Sequence, residues 1–101
     1  MPVKGQEKEK TKIHIKPPRQ YNVIFYNDDF TPMDFVVEVL VHIFDKTEKS
    51  AIELMLEVHH STSMVVGEYP KEIAKMKVKE TVALARSRNY PLMVEAVPQE
   101  D

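Results

Sequence analysis

The residues from Asn27 to Met33 carry the side chains with the clearest potential for chemistry. Asn27, Asp28 and Asp29 place an amide and two carboxylates directly after an apolar run, and oxygen acceptors of this kind suit a cationic ligand with several hydrogen-bond donors. The same residue types also close turns by accepting hydrogen bonds from their own backbone, so the local sequence by itself favours a structural turn. Because Thr31 is predicted to cap the helix that follows, the two carboxylates are not needed as caps.

A second candidate is the pair His59 and His60, at the end of an apolar helical stretch. The helix dipole favours a positive charge at a helix C-terminus, so a structural capping role is the simplest interpretation. His59 also shares an apolar flank with Ile52 and Met55, from which its ring could donate or accept a hydrogen bond at the rim of an apolar pocket.

These acidic and histidine residues raise the question of a metal site or an enzyme. A carboxylate with two histidines can bind iron or zinc, and a metal-dependent enzyme using Asp28, His59 and His60, with Asp29 beside them, is one alternative. Histidine ligands on a helix normally lie four residues apart, whereas adjacent side chains point about 100° apart. The sequence also lacks a nucleophile elbow, a P-loop and a dinucleotide fingerprint. We therefore expect no metal, no cofactor and no catalysis.

Length, charge and composition describe the scaffold that has to position these groups. A chain of 101 residues without cysteine predicts one domain without disulfides or thiolate chemistry. The net charge is −2, yet residues 1–20 carry +4, which leaves −6 on the remainder. An acidic domain binds nucleic acid poorly because that affinity depends on neutralising phosphates. Since the sequence has neither a membrane-length apolar run nor a secretion signal, we expect a soluble cytoplasmic protein.

Alternation, helical spacing and turn residues predict six elements in the order β-α-α-β-α-β. In chain order, we predict a strand over Tyr21–Tyr26, a helix from Pro32 to about Phe44, a helix capped by Thr47 and broken at Ser61, a strand over Met64–Val66 ended by Gly67, a helix from Pro70 to Asn89, and a strand over Leu92–Val97. Three short strands must bury one face of their sheet against helices, so a two-layer α+β domain is expected.

The chain ends and the remaining apolar side chains complete these expectations. Residues 1–20 are predicted to be a mobile extension, 21–97 the folded domain and 98–101 a frayed tail. The third helix is expected to face the core with Ile73, Ala74, Val78, Val82 and Ala85. Met33 is expected to line a pocket beside the acidic corner, and core filling is expected of Met55, Met64, Met76 and Met93.

Residues 21–97 resemble the ClpS family of adaptors for the Clp unfoldase–protease. The resemblance rests on two motifs in register, Asn27-Asp28-Asp29-x-Thr31-Pro32-Met33-x-Phe35-Val36 and Leu54-Met55-Leu56-x-Val58-His59, and on Leu92 after Tyr90-Pro91. It implies a three-stranded antiparallel sheet packed against helices, a fold similar to the C-terminal domain of the ribosomal stalk protein. The family carries Gly and Ala where this chain has Thr62 and Met64, a departure that concerns the start of the second strand and a pocket wall.

The resemblance also implies a function and the residues that perform it. ClpS-like domains bind the first residue of a protein when it is Leu, Phe, Tyr or Trp, and deliver that protein to a ClpA- or ClpC-type AAA+ unfoldase for degradation by ClpP. The residues that match contacts to the α-amino group are Asn27, Asp28, Asp29 and His59. The residues that match the side-chain pocket are Thr31, Met33, Val36, Met55, Val58 and Leu92, with Met33 as a gate against β-branched residues.

The partners follow from the same resemblance. Glu72 and Lys77 match contacts to the N-domain of the unfoldase, and the N-terminal extension matches the part that the unfoldase engages. The implied protein is a monomeric, non-enzymatic adaptor for N-degron peptides and proteins that binds neither nucleic acid nor membranes. A structural interaction module resembling the stalk domain is the main alternative, but the basic helix face that would bind elongation factors is missing from this acidic sequence.

Overall fold

Six elements follow one another in the predicted order, and each pair of neighbouring strands is antiparallel. The computed structural model describes residues 18–100; residues 1–17, which hold most of the predicted extension, lie outside that range. The elements are β1 (Gln20–Tyr26), α1 (Met33–His42), α2 (Glu48–His60), β2 (Ser63–Pro70), α3 (Lys71–Ser87) and β3 (Met93–Pro98). The predicted α+β architecture is confirmed.

The sheet has the strand order β2-β1-β3, so β1 is hydrogen-bonded on both sides. Val23 and Phe25, two positions apart on one face of β1, are fully buried. The ring of Phe25 meets that of Phe44 edge-on, with 5.5 Å between their centroids, and α1 adds the buried Val39 and Leu40. The core therefore lies between one face of the sheet and the helices.

β2 is longer than predicted because Gly67 does not end it. Its pairing with β1 changes register between Val23 and Ile24, which marks a β-bulge. A Cβ atom at Gly67 would lie 2.6 Å from the ring of Tyr69. The prediction of a strand end at Gly67 is therefore wrong, since the glycine permits the close approach of this ring within a continuing strand.

α3 faces the core with residues that differ in part from the prediction. Ala74 and Ala85 are buried as expected, but Ile73 is 40% exposed, so its predicted core position is wrong. Thr81 is fully buried instead, and its hydroxyl donates to the Lys77 carbonyl at 2.8 Å. Small side chains let a helix approach its neighbours closely, and the threonine is tolerated because its donor is satisfied.

The methionines also divide differently from the prediction. Met55 and Met64 are half-buried against the core, whereas Met76 and Met93 are exposed. Core filling is therefore the wrong expectation for Met76 and Met93. Met33, which was expected at a pocket, is 46% exposed and does line one.

The start of α1 also differs from the prediction. The helix begins at Met33, with Pro32 at the N-cap position and no side-chain cap. Thr31 is therefore not the cap that the sequence predicts, and its hydroxyl donates to the Asp28 carboxylate instead. The helix ends at His42, two residues before the predicted end.

The other helices begin and end close to the predicted positions. The Thr47 hydroxyl accepts a hydrogen bond from the Ser50 N–H at 3.1 Å and caps α2 as expected, and Ser61 follows its last residue. Pro70 directly precedes α3. None of the helices within residues 18–100 combines the length and the apolarity needed to cross a membrane.

The C-terminal strand continues one residue beyond the predicted end, to Pro98. The Gln99 N–H then donates to the Gln20 carbonyl at 2.9 Å, and its side-chain amide donates to Asn22 and to Glu68, both at 2.9 Å. Residues 98 and 99 are thus held at the sheet where the sequence predicts fraying, and residue 101 lies outside the described range.

Candidate functional site

A recess of about 340 Å³ opens where β1 passes into α1, beside the C-terminal end of α2. All ten residues that the resemblance associates with substrate line it: Asn27, Asp28, Asp29, Thr31, Met33, Val36, Met55, Val58, His59 and Leu92. The lining also includes Tyr26, Phe30 and Pro32, which sequence reasoning did not assign to a site. Glu72 and Lys77 belong to α3 and lie outside the recess.

A larger hollow of about 520 Å³ lies between α2 and β2. None of the predicted site residues lines it, and its wall carries the charged side chains of Lys46, Glu53, Glu57 and Glu68. Volume alone therefore does not identify the site. The smaller recess is the better candidate because polar groups converge there above an apolar floor.

Hydrogen bonds hold the two elements that form the mouth of the recess. The Asn27 N–H donates to the Thr62 carbonyl at 3.0 Å, and the Asn27 side-chain nitrogen faces the His59 carbonyl at 3.5 Å. The end of β1 therefore lies against the end of α2. Because Thr62 contributes its backbone carbonyl, this contact does not depend on the residue type at that position. In this orientation the amide oxygen of Asn27 is available as an acceptor.

The floor of the recess is apolar and buried. Val36 from α1, Val58 from α2 and Leu92 just before β3 are 6%, 4% and 1% exposed. Met55 is half-buried beside them, and Met33 is exposed at the rim. Unbranched thioether side chains can adapt to guests of different shape. Burying a Leu or Phe side chain against such a floor contributes about 1.5–3 kcal/mol.

The Asp28 carboxylate is engaged by its own turn. One oxygen accepts the N–H groups of Phe30 at 2.8 Å and Thr31 at 2.7 Å, and the other accepts the Thr31 hydroxyl at 2.8 Å. Partial burial alone would raise the pKa of Asp28, but these hydrogen bonds, aided by the charge of Arg86, outweigh it and hold the pKa below its ordinary value. The structural turn that the local sequence favours is thus formed by Asp28.

Asp29, the neighbouring carboxylate, has a different environment. Its side chain is exposed, and no hydrogen-bond donor within residues 18–100 contacts it. It lies at the mouth of the recess, just ahead of the N-terminal end of α1, where the helix dipole stabilises a negative charge. Asp29 therefore presents a carboxylate acceptor to any cation that enters.

The two histidines diverge as adjacent helical residues should. His59 lines the recess and His60 does not. Their ring centroids lie 5.1 Å apart, and the ring planes are inclined by 68°. Among the residues that the structure describes, no three His, Asp or Glu side chains are grouped as a metal ion requires. His59 can instead exchange one hydrogen bond with a ligand at the mouth.

Lys77 is largely enclosed, whereas a residue predicted to contact a partner protein would be expected to be exposed. Its side chain is 15% exposed and lies 3.9 Å from the Asp45 carboxylate. The ammonium donates to the Ile43 carbonyl at 2.6 Å and lies 5.7 and 5.2 Å from the ring centroids of Phe44 and Tyr69. Glu72, by contrast, is exposed near the start of α3. The contact of both residues with an unfoldase stays a prediction.

Tyr26 is a lining residue that sequence reasoning treated only as part of a strand. Its hydroxyl donates to the Glu95 carboxylate at 2.6 Å. This hydrogen bond, together with desolvation and the negative charge of Glu95, raises the pKa of Tyr26. The available signal was its position, since Tyr26 ends β1 immediately before Asn27.

Comparison with known proteins gives consistent matches over most of the chain. A family profile described as "ATP-dependent Clp protease adaptor protein ClpS" matches residues 16–95. The ClpS adapter protein of Vibrio atlanticus is 44% identical over 87 residues, which cover 86% of this chain and 80% of the relative. That of Nitrosospira multiformis is 46% identical over 84 residues, covering 83% and 82%.

A solved structure matches the fold as well as the sequence. Agrobacterium tumefaciens ClpS2, bound to L-phenylalaninamide, superposes with a TM-score of 0.79 at 35% identity. The match covers 82% of this chain and 100% of that one. The likeness therefore extends across the elements that form the recess.

Proposed function

Because the chain belongs to the ClpS family of ATP-dependent Clp protease adaptors, we propose that it binds the first residue of N-degron proteins in this recess. It then delivers them, as a cytoplasmic monomer, to a ClpA- or ClpC-type unfoldase. Members of the family are non-catalytic adaptors, so the recess serves binding. The observation that carries the proposal is the carboxylate of Asp29, which no donor within residues 18–100 contacts, above a buried apolar floor.

The mouth suits a free α-amino group. An ammonium donates up to three hydrogen bonds and carries a positive charge, whereas an internal peptide nitrogen has one N–H and no charge. Asp29, the Asn27 amide oxygen and the His59 ring offer acceptors for those donors. Asp28 acts through the turn that fixes Asp29, since its own oxygens already accept three hydrogen bonds.

The expected affinity is in the micromolar range or somewhat better. Hydrogen bonds to charged groups contribute about 1.5–3 kcal/mol each, and burial of the first side chain adds about 1.5–3 kcal/mol. The loss of translational and conformational freedom on binding offsets a large part of that sum. Neither half of the recess is sufficient alone, which accounts for selection of both a free terminus and a large hydrophobic side chain.

The ligand of the Agrobacterium relative supports this assignment by its chemistry. L-phenylalaninamide combines a free α-amino group, a phenylalanine side chain and a carboxamide in place of a carboxylate. These are the features that the first residue of a protein chain presents. We extend this ligand class to the present chain and expect Leu, Tyr and Trp to bind alongside Phe.

The test compares two peptides that differ only in N-terminal acetylation. A Phe-initiated peptide with a free terminus should bind, and its acetylated form should lose measurable binding by fluorescence anisotropy. An Ala-initiated peptide with a free terminus controls for the apolar floor and should bind weakly. Equal binding of the free and acetylated Phe peptides would overturn the proposal and favour an interaction module resembling the stalk domain.

Delivery to the unfoldase is tested separately. Deletion of residues 1–19, which stops short of β1, should leave peptide binding intact but slow degradation of a Phe-initiated reporter by a reconstituted Clp protease. Glu72→Ala should weaken binding to the isolated N-domain of the unfoldase. Unchanged degradation after the deletion would remove the extension from the mechanism without affecting the assignment of the recess.

A further inference from the structure

We infer that Phe30 contacts the second residue of the bound protein and makes the recess prefer an apolar side chain at that position. This inference rests on the proposed function, because it requires the first residue to occupy the recess. It concerns a side chain that the matching motif leaves unspecified, since Phe30 lies between Asp29 and Thr31.

The exposure of Phe30 is the first observation. Its side chain is 78% exposed, more than any other large hydrophobic residue within the range that the structure describes. It nevertheless belongs to the lining of the recess, so a largely exposed aromatic residue lies at the mouth. A ligand that leaves the mouth past this ring would remove apolar surface from water, which is favourable.

The second observation is that the backbone of Phe30 is held in place before any ligand arrives. Its N–H donates to the Asp28 carboxylate at 2.8 Å, and the same oxygen accepts the Thr31 N–H at 2.7 Å. An aromatic side chain has only two side-chain torsions and loses little conformational freedom on binding. Ring contact on a fixed corner therefore adds affinity without the ordering penalty of a flexible loop.

Chain geometry selects the second residue as the occupant. Consecutive Cα atoms are about 3.8 Å apart, so anchoring the first residue leaves the second one at the rim. Phe30 is likewise the direct neighbour of Asp29, to which we assign the ammonium. The second side chain and the phenyl ring therefore meet at the same rim, within reach of apolar contact.

The experiment is a double-mutant cycle between protein and peptide. Four peptides with a free N-terminus begin Phe-Leu, Phe-Phe, Phe-Ser and Phe-Gly and are otherwise identical. Each is titrated against the unmodified protein, Phe30→Ala, Phe30→Leu and the control Met76→Ala, which removes another exposed large side chain on α3. Far-ultraviolet circular dichroism and urea unfolding establish that each variant is folded.

We expect Phe30→Ala to weaken Phe-Leu and Phe-Phe binding about three- to tenfold, the size of an aromatic contact, and to change Phe-Gly less than twofold. Phe30→Leu should retain most of the preference, and Met76→Ala should retain all of it. An equal loss for all four peptides, or an unchanged preference in Phe30→Ala, would overturn the inference. If the unmodified protein binds free and acetylated Phe-Gly peptides alike, the proposed function itself fails, and the inference with it.

Discussion

The two corners at which a strand passes into a helix differ in what they leave unpaired. Both α1 and α3 begin directly after a proline, Pro32 and Pro70, and neither has a side-chain N-cap. At the β2–α3 corner the rings of Phe44 and Tyr69 enclose the ammonium of Lys77, which donates to a backbone carbonyl. We call this the closed corner, and the β1–α1 junction the open corner.

At the open corner one carboxylate stabilises the turn and the other is available to a ligand. Asp28 satisfies the turn, while Asp29 has no donor within the described part of the chain. Both junctions end on a proline, although six residues separate β1 from α1 and none separates β2 from α3. At the closed corner the charge of Lys77 is engaged within the fold, whereas at the open corner the charge of Asp29 is exposed. Substitution of Lys77 at the closed corner should therefore alter stability, and substitution of Asp29 at the open corner should alter peptide binding.

The largest expected effect is on binding at the open corner. Asp29→Ala or His59→Ala should weaken binding of a Phe-initiated peptide about 10- to 100-fold, because each removes one hydrogen bond to a charged group worth about 1.5–3 kcal/mol. The free energy of unfolding should change little, since both side chains are exposed. Calorimetric titration and urea unfolding measure the two quantities. Asp34→Ala, at an exposed position outside the recess, is the matched control. Unchanged affinity in both test variants would show that Asp29 and His59 have only a structural role.

Lys77→Met should produce the opposite pattern at the closed corner. The change keeps an unbranched apolar side chain but removes the donor to the Ile43 carbonyl, so we expect a loss of about 2 kcal/mol in the free energy of unfolding. Peptide affinity should stay within twofold. The exposed Lys75→Met on the same helix serves as control and should be nearly neutral. A stable Lys77→Met protein with impaired peptide binding would contradict the division between the corners.

Met33→Ala should relax selection at the rim without abolishing binding. Loss of the thioether widens the entrance beside the floor, so peptides that begin with Val or Ile should gain about tenfold in affinity, within the range that one or two methylene groups control. Phe-initiated peptides should change less. Competition against a labelled Phe peptide measures both, and a parallel loss for every peptide would show that Met33 supports the recess rather than gating it.

The smallest expected effect is a change in acid sensitivity. Because the pKa of Asp28 is lowered in the folded protein, its carboxylate contributes stability that is fully present above the ordinary carboxyl pKa of about 4 and is lost as the pH falls through the lowered value. Asp28→Asn cannot titrate, so its unfolding free energy should fall less steeply with decreasing pH below about pH 4. Identical slopes for the two proteins, measured by urea unfolding at several pH values, would count against the turn described for Asp28.

The sequence predicts the order of elements because each one carries a local signal. These signals involve residues only a few positions apart. They are the β-branched and aromatic residues of β1, the Thr47 cap of α2 and the residues that end α3. Local residue types indicated Asn27–Asp29, His59 and Met33 as separate candidates, but only the resemblance grouped them in one site, since nothing local indicates that the end of β1 meets the end of α2.

The errors arise where a contact to a residue two to four positions away overrides the preference of a single residue type. Thr31 has the residue type of a cap, but the Asp28 carboxylate takes its hydroxyl. Gly67 has the residue type of a strand end, but a bulge and the Tyr69 ring use its missing side chain within β2. Ile73 fits an apolar periodicity but is exposed, whereas Thr81 is fully buried. Its burial is tolerated because the hydroxyl donates to a carbonyl of its own helix.

The central position of β1 has a mechanical consequence. Its two ladders hold it on both sides, and Gln20 and Tyr26 lie about 20 Å apart at a rise of about 3.3 Å per residue. Tension applied at Gln20 along the strand axis would load both ladders in shear. Many backbone hydrogen bonds would then resist the force together, rather than breaking one after another. Gln20, where that tension acts, is the end of β1 farther from the recess. A pulling force and a bound substrate would therefore act at opposite ends of this strand.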